Sequence, residues 1–346
     1  MIAPPATSSV FRQVRGLDVL TWPVFDAFGV DVLVTTRRGG ISAGPYASLN
    51  LSFNVGDEPA AVLENRRRAA AALGTRLDDV VVAEQVHGAV ATVVGAADRG
   101  RGARPGAAAV PGADALATAD PGTTLAVLAA DCVPVVLYDP VAQVLACAHA
   151  GWRGTVAAAA AAAVQAMRSL GSRPADVVAG LGPAIAADRY QVGAEVAGAA
   201  ERAFADRTPG VLRATGPGQW QFDLWAANRL VLQDAGVPAA QIHVADVPTG
   251  PPVPRVPGTP PVPGTPPAPS TPPAPGTPPV PSAPPAPGTP RAPDGGWFFS
   301  HRSEQPCGRF AALARLRTTV LAEDTVLAED IVPAEATEPA EPRETR

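Results

Sequence analysis

Lysine is missing from this 346-residue chain, so all 27 of its basic side chains are arginines. They form no basic tract and the formal net charge is -5, so we predict no nucleic-acid partner. Cysteine is also scarce: Cys132, Cys147 and Cys307 are too few, and odd in number, for a disulfide framework. The N-terminus lacks the apolar run of a secretory signal, and the most apolar stretch, residues 124–138, is too short to span a membrane. We therefore predict a cytoplasmic protein with no membrane partner.

Proline, by contrast, is abundant, and 22 of its 41 copies lie in residues 248–294. Repeats of Pro-Gly-Thr-Pro-Pro and Pro-Ala-Pro lack backbone donors and fix φ, so this low-complexity insert should favour polyproline II. It is either a tolerated surface spacer or a ligand for a domain that reads polyproline II. Residues 321–346 predict a disordered acidic tail. Residues 295–320 are too few to fold alone, so we predict that they complete a single domain with residues 1–247.

The remaining sequence mixes strand-like and helix-like patterns, which indicates the α/β or α+β class. Residues 59–73 predict a helix, because Pro59 suits its first turn and Gly74 its C-cap. The other predicted helices are residues 155–170, 194–204 and 223–235. The predicted strands are residues 30–36, 80–87, one or two within 125–138, 144–149, 176–181, 242–247 and 297–300, whereas 309–316 is ambiguous.

One thiol and two imidazoles stand where predicted strands end or bend. His87 lies in EQVHG, Cys132 in ADCVP and His149 in AHAGWRG. Loops at strand ends hold functional groups on a rigid scaffold, and this donor set suits a borderline-soft metal such as zinc. Three protein ligands leave a fourth position open, which is the arrangement of a catalytic metal. Cys147 alternates with His149 along its strand and is expected to pack inside.

Two other interpretations use the same atoms. A blue-copper site would need an axial methionine, but Met167 lies inside a predicted helix, and four histidines are too few for a multicopper oxidase. In a Cys–His hydrolase, Cys132 would be the nucleophile, His87 or His149 its base, and Asp131 the group that orients the base. The residues alone do not separate this hydrolase from a zinc site.

Arginines at predicted strand-to-loop junctions form a second group of candidates. They are Arg37 and Arg38 before Gly39-Gly40, Arg153 after Gly151-Trp152, Arg302 after the last predicted strand, and Arg309 after Gly308. A guanidinium presents a planar donor fork to phosphate or carboxylate, and glycine lets backbone amides approach an anion. Surface ion pairs would account for any one of these arginines, but the group as a whole indicates an anion site.

Several stretches occur in a characteristic order and cover nearly all of residues 30–247 and 296–316. They are TTRRGGISAGPYASLNLSFNVGDEP, ENRRRAAAALG, EQVHGA, GADALATADPGTTLAVLAADCVPVVLYDP, ACAHAGWRGT, GLGPAI, YQVGAEV, FDLWAANRLVLQDAGV, WFFSHRS and GRFAALARL. The most specific are ADCVPV and HAGWRGT at their observed separation. The chain thereby resembles the laccase-domain family, long labelled multicopper polyphenol oxidase and better described as zinc-dependent purine nucleoside phosphorylases.

This resemblance implies an α+β fold, a layered sandwich of mixed β-sheets flanked by helices. It implies zinc, rather than copper, on His87, Cys132 and His149. The implied substrates are purine nucleosides and phosphate. The implied reactions are phosphorolysis of adenosine, inosine, guanosine and methylthioadenosine to the base and ribose 1-phosphate, with hydrolytic deamination of adenosine as a side activity.

For these reactions we assign Asp131 and Glu84 as candidate proton carriers, with the alternative that either one orients a ligand histidine, and Arg153 as a catalytic phosphate contact. Arg37, Asn50 and Arg302 are the candidates for substrate or phosphate binding. A copper-dependent polyphenol oxidase and a Cys–His hydrolase using Cys132 are the alternatives to this assignment.

Overall fold

Fifteen strands and five α-helices build the described part of the chain, residues 9–251 and 296–317 of the computed structural model. The strands are β1 (Val10–Val14), β2 (Leu17–Thr21), β3 (Val30–Thr35), β4 (Val80–Val82), β5 (Ala91–Val93), β6 (Ala115–Thr118), β7 (Thr124–Ala129), β8 (Val133–Asp139), β9 (Val144–Ala150), β10 (Val178–Leu181), β11 (Gln191–Val192), β12 (Leu212–Gly216), β13 (Gln219–Phe222), β14 (Ile242–Val244) and β15 (Phe310–Leu316). The helices are α1 (Pro59–Leu73), α2 (Trp152–Val156), α3 (Ala159–Ser169), α4 (Ala194–Phe204) and α5 (Leu224–Asp234). The predicted tail and nearly all of the predicted proline insert lie outside the described residues.

Two six-stranded mixed sheets form the centre of the fold. The first has the order β1-β2-β3-β15-β7-β4 and the second β14-β10-β8-β9-β6-β5, while β11, β13 and β12 form a small third sheet. β15 pairs antiparallel with both β3 and β7. The residues that follow the proline-rich stretch therefore supply a central strand of the first sheet.

The two large sheets pack face to face, with helices on their outer faces. Along β15, Phe310 and Ala312 are buried between the sheets, whereas Leu313 packs on the opposite face, as the period of two along a strand requires. α1 covers the outer face of the first sheet, and α3 covers that of the second, with α5 against α3. This arrangement confirms the expected α+β layered sandwich. No helix in residues 9–251 and 296–317 is long and apolar enough to cross a membrane.

Three of the predicted helices are confirmed. α1 begins at Pro59 and ends before Gly74, whose φ of 80° lets its amide bond the last turn. α4 has its predicted bounds. α5 begins after Asp223, whose carboxylate accepts the N–H of Ala226 at 2.9 Å and caps the helix.

The single helix predicted over residues 155–170 is wrong. The chain forms α2 and α3 instead, because Ala158 adopts a left-handed φ of 61° between them. The break lets α2 pack against α5, where Asn228 donates to the Thr155 hydroxyl at 2.9 Å, while α3 packs on the second sheet. An unbroken run of alanines carries no signal of this change in direction.

The strand predicted over residues 297–300 is also wrong. Phe298 and Phe299 are consecutive and both fully buried, in two different clusters, so the segment does not alternate like a strand. It is held instead by separate backbone bonds, from the Arg37 amide to the Trp297 carbonyl and from the Gly250 amide to the Phe298 carbonyl. The strand predicted over residues 80–87 ends at Val82, and the ambiguous residues 309–316 form β15.

Candidate metal centre and substrate cavity

The three predicted metal ligands lie together. His87 lies in the loop after β4, Cys132 in the bend between β7 and β8, and His149 near the end of β9. Their ligand atoms all lie within 4.8 Å of one another, and the two imidazole rings meet edge to face with centroids 4.8 Å apart. Among the described residues, this is the only group of three or more histidine, cysteine and carboxylate side chains placed to hold a metal.

The backbone around this cluster is left-handed at three non-glycine residues. Gln85, His87 and Asp131 have φ values of 60°, 62° and 79°. The Gln85 side chain forms two hydrogen bonds with the backbone of Leu128. It donates to the carbonyl at 2.7 Å and accepts the N–H at 2.8 Å. This pairing joins the His87 loop to β7 after β4 has ended. Unusual backbone conformations concentrated in one place are typical of a functional site.

Asp114, which the sequence analysis did not single out, positions both histidines. One of its carboxylate oxygens lies 3.0 Å from Nδ1 of His149 and accepts the His87 amide at 2.9 Å. The other accepts the Gly88 amide at 2.6 Å. Burial raises the pKa of Asp114, but these hydrogen bonds outweigh it, so its pKa lies below the usual value. The ionised carboxylate holds the proton on Nδ1 of His149, which leaves Nε2 as the ligand atom.

The electrostatics of the cluster suit a thiolate ligand. Burial raises the pKa of the Cys132 thiol, but His149 and His87 lower it by more, so the net pKa lies below that of a free thiol. Burial lowers the pKa of His149, but Cys132 and Asp114 raise it by more. Both shifts favour a thiolate on Cys132 beside an imidazolium on His149. A metal can replace the imidazolium proton as the partner of the thiolate.

Gly151 makes room for an ion or a substrate beside the cluster. A Cβ atom at this position would lie 2.8 Å from Cys132 Sγ and 3.2 Å from His87 Cδ2, so no larger residue fits without moving the ligands. One soft thiolate and two imidazoles match the donors that zinc prefers, and the number leaves one coordination position open. The residues present therefore fit a zinc ion of the catalytic type.

The cluster opens onto a cavity of about 680 Å³, within the size range of small-molecule sites. Trp152 and Tyr190 contribute aromatic walls. Burial raises the pKa of Tyr190 to about 12, so its hydroxyl keeps its proton at neutral pH and can donate to a ligand. Arginine, histidine and carboxylate side chains line the same cavity, so it offers both aromatic surface and charged groups to a ligand.

The two predicted proton carriers, Asp131 and Glu84, both line this cavity, but they differ in burial and in how many of their oxygens accept hydrogen bonds. Asp131 is buried, and its two oxygens accept hydrogen bonds from the Thr249 hydroxyl at 2.5 Å and the Arg302 amide at 2.6 Å. Glu84 is exposed, and one oxygen accepts the Gly112 amide at 2.7 Å. Its other oxygen accepts no hydrogen bond from the described residues. Asp131 thus holds the segments that contain Thr249 and Arg302 in place. Glu84, by contrast, has one oxygen available to a ligand.

Two of the predicted anion-binding arginines line the cavity. Arg153 stacks on Trp152, with 4.2 Å between guanidinium carbon and ring centroid, and forms an exposed ion pair with Glu195 at 3.2 Å. Arg302 lies 5.2 Å from the ring centroid of Tyr190 and donates to the Gln191 carbonyl. Both guanidinium groups therefore stand beside the aromatic walls near the cluster.

The structure does not bring Arg37 and Asn50 to the cavity wall. Arg37 pairs with Glu304 at 2.9 Å and stacks over Phe299. Asn50 is fully buried, donates to Asp57 at 2.8 Å and accepts the Arg309 amide at 2.9 Å. Both side chains connect segments that are distant in sequence, and Asn50 acts on the cavity through Arg309, which does line it.

The other two cysteines have no place in the cluster. Cys147 is fully buried between the sheets, as its alternation with His149 predicted, and burial raises its pKa. Cys307 is buried against Phe299, and its sulfur accepts a hydrogen bond from Arg309 at 3.2 Å. Cys132 is therefore the one described cysteine that reaches the candidate metal centre.

The α+β layered sandwich carries a His–Cys–His group at the wall of a cavity, an arrangement that suits an enzyme. Comparison with known proteins identifies the family. The family model described as multi-copper polyphenol oxidoreductase laccase matches residues 31–251. The chain belongs to this family.

Relatives and a solved structure support this membership. The purine nucleoside phosphorylase YlmD of Geobacillus stearothermophilus is 42% identical over 214 residues, which cover 62% of this chain and 78% of that protein. The adenosine deaminase RL5, from an unknown prokaryotic organism, is 40% identical over 214 residues, which cover 62% of this chain and 82% of that protein. The crystal structure of YlmD from Geobacillus stearothermophilus matches with a TM-score of 0.72 at 34% identity, over 90% of this chain and 100% of that chain.

Proposed function

We propose that this protein is a zinc-dependent purine nucleoside phosphorylase with adenosine deaminase side activity. The observation that carries the proposal is the His87–Cys132–His149 cluster, which Asp114 orients at the wall of an aromatic, arginine-lined cavity. The names of the relatives supply the reaction class. The proposed substrates are adenosine, inosine, guanosine and methylthioadenosine, with phosphate as the second substrate of phosphorolysis.

A zinc ion held by the three ligands would supply Lewis-acid chemistry at its open position, including a bound water of lowered pKa. The chain's own residues bind and orient the substrate. We propose that Trp152 and Tyr190, which line the cavity, contact the flat purine and that the protonated Tyr190 hydroxyl donates to it. Arg153 and Arg302 are the candidates from the sequence for contacts with phosphate.

Phosphorolysis joins a phosphate oxygen to C1′ of the ribose, breaks the bond from C1′ to the base, and requires a proton on the departing base. Glu84 is the better placed proton carrier, because one of its oxygens accepts no hydrogen bond from the described residues. Asp131 has both oxygens engaged and keeps the Arg302 amide and Thr249 in place. We therefore propose Glu84 for proton movement and Asp131 for positioning.

Two alternatives make different demands on the same residues. A multicopper oxidase needs several copper sites, whereas the described residues hold one His–Cys–His group and the chain has four histidines. A Cys–His hydrolase would use the lowered pKa of Cys132 directly, with His149 as its base. The hydrolase would work without metal, so a metal requirement separates it from the proposed enzyme.

The test is turnover of adenosine by the full-length zinc-loaded protein with and without phosphate, followed by chromatography of the released base. We expect adenine release that needs phosphate, with some inosine formed without it. The same protein is offered a phenolic substrate in an oxygen electrode. Untouched adenosine together with oxygen uptake would replace the proposal with the copper oxidase.

A further inference from the structure

One buried arginine faces the cavity without an acidic partner. Arg66, on α1, is only 8% exposed and lines the cavity wall. Its Nε donates to the Leu51 carbonyl at 2.7 Å, its Nη1 donates to the Gly102 carbonyl, and its guanidinium stacks on Phe53 at 4.3 Å. Two of its five N–H groups are thereby used, and Nη2 makes no hydrogen bond with the described residues.

The charge of Arg66 is not balanced by the protein around it. No carboxylate in the described residues lies within ion-pair distance of it, although fifteen ion pairs form elsewhere in those residues. Burial lowers the pKa of Arg66 to about 10, with no acidic side chain to offset it. The group is still charged at neutral pH. A buried unpaired cation is costly, so an anion from outside would relieve the cost.

A second arginine without a carboxylate partner lines the same cavity. Arg309 donates from Nη1 to the Cys307 and Gly308 carbonyls, and it forms no ion pair with a described residue. Both arginines are held by one short segment. The Arg309 carbonyl accepts the Leu51 amide at 3.0 Å, its amide donates to Asn50 at 2.9 Å, and Arg66 donates to the Leu51 carbonyl.

Two other cavity arginines differ in this respect. Arg104 is neutralised by Asp78, with an N–O distance of 2.7 Å, and Arg153 pairs with Glu195. Arg302 also lacks an ion pair, but its side chain is exposed, so water can screen its charge. Arg66 and Arg309 are thus the buried or half-buried guanidinium groups that keep unused donors and uncompensated charge in the cavity beside the candidate metal centre. A phosphate dianion matches both properties, because its oxygens accept the planar donor fork of arginine and its charge balances two cations.

We propose that Arg66 and Arg309 form a phosphate-binding subsite of this cavity, distinct from Arg153 and Arg302. This inference rests on the proposed function in taking free inorganic phosphate, the second substrate, as the ligand. The phosphate group of a nucleoside monophosphate has the same chemistry, so adenosine 5′-monophosphate is the second ligand to test. Asn50 is a positioning residue in this subsite, since it holds the Arg309 backbone.

The experiment is isothermal titration of the full-length zinc-loaded protein with sodium phosphate, and separately with adenosine 5′-monophosphate. The variants are Arg66→Gln and Arg309→Gln, and the matched control is Arg104→Gln, which removes a cavity arginine already paired with Asp78. We expect phosphate to bind about tenfold or more weakly to both variants and normally to the control. Arg309→Lys should restore part of the binding. Thermal melts establish folding, and if Arg66→Gln does not fold, Arg309→Gln decides.

Turnover separates this inference from the proposed function. We expect the KM for phosphate in adenosine phosphorolysis to rise about tenfold in Arg309→Gln, with the KM for adenosine unchanged. Phosphate binding that survives both variants, or falls equally in Arg104→Gln, overturns the subsite even if adenine is released. Arginine-dependent phosphate binding without adenine release supports the subsite and refutes the phosphorylase. Tighter arginine-dependent binding of the monophosphate than of phosphate assigns the subsite to a nucleotide and overturns the choice of free phosphate.

Discussion

The carboxylate of Asp114 lies 3.0 Å from Nδ1 of His149 and also accepts the amide N–H of His87. One buried acid therefore contacts two residues that are far apart in sequence, one in the loop after β4 and one on β9. By accepting the amides of His87 and Gly88, it also supports a loop whose backbone is left-handed at Gln85 and His87. It also makes the geometry of the cluster sensitive to a residue that contributes no ligand atom.

Replacing Asp114 with asparagine should weaken zinc binding about 10- to 100-fold, because the neutral amide no longer holds the proton on Nδ1 of His149. Competition with a chromophoric chelator measures the affinity. Asp120→Asn is the control, since Asp120 holds a surface turn with Arg99 and Thr123. Unchanged zinc affinity in Asp114→Asn would show that the carboxylate only supports the fold.

Removing the thiol should remove the metal. We expect Cys132→Ala to be purified with almost no zinc, whereas wild type holds about one zinc per chain. Cys147→Ala is the matched control, because Cys147 is buried between the sheets away from the cluster and should leave zinc content unchanged. Elemental mass spectrometry gives both numbers. Full zinc in Cys132→Ala would refute the ligand assignment, and an active metal-free wild type would favour the Cys–His hydrolase.

The proline-rich stretch should be dispensable for the fold and for nucleoside turnover. The chain on its two sides is already in contact, because the Gly250 amide donates to the Phe298 carbonyl at 3.2 Å. Replacing residues 252–293 with a few glycines and serines shortens a connection whose closure cost changes by only about 0.6 kcal/mol per doubling of length. A thermal melt and an adenosine assay check the deletion. A melting temperature lowered by many degrees, or loss of zinc, would show that the stretch packs on the domain.

Acid should weaken the junction between β8 and α3 through Asp139. Burial raises the pKa of Asp139, but hydrogen bonds from Ser172, Ala142, Val141 and Arg173 outweigh it, so its folded pKa is lowered. A lowered folded pKa contributes stability above the unfolded value, near about 3.9, and that contribution is lost as pH falls through the folded pKa.

We therefore expect Asp139→Asn to be less stable than wild type by about 1–3 kcal/mol at pH 7, with the difference shrinking below about pH 4. Urea unfolding at several pH values measures the free energy of unfolding of both proteins. Asp206→Asn is the control, because Asp206 is exposed and should change little at any pH. A difference that stays constant down to low pH would show that the ionised form of Asp139 contributes nothing.

The sequence alone was sufficient to predict the three residues that lie together in the candidate metal centre, because His87, Cys132 and His149 all follow or interrupt strongly apolar strands. Asp114 was missed, although an acid in the apolar run Gly112–Leu116 is itself a signal, since burying a carboxylate is unfavourable without partners. The position of Arg37 at a strand-to-loop junction does not reveal that it pairs with Glu304, and the predicted helix over residues 59–73 does not reveal that Arg66 is buried. Arg66 and Arg309 differ from Arg104 and Arg153 in having no carboxylate partner among the described residues. This difference exists only in the folded chain.

The errors in secondary structure have a similar origin. Ala158 turns the chain within a run of alanines because of where α2 and α3 pack, and alanine has no side chain that records this. Phe298 and Phe299 read as a strand by composition, but two clusters bury them separately. β15 was ambiguous because both of its faces are buried, which removes the alternation that marks a half-exposed strand. Such features depend on tertiary packing and not on local pattern.

The most direct test of the account is a zinc titration of the metal-stripped full-length protein, with phosphate-dependent release of adenine from adenosine as the readout. We expect no activity before zinc is added, a rise in proportion to zinc, and saturation at about one equivalent per chain. The Cys132→Ala protein should stay inactive throughout the titration. The central claim is that His87, Cys132 and His149 hold the zinc of a purine nucleoside phosphorylase. Phosphorolysis at full rate before any zinc is added would contradict it, and so would the absence of phosphorolysis at saturating zinc.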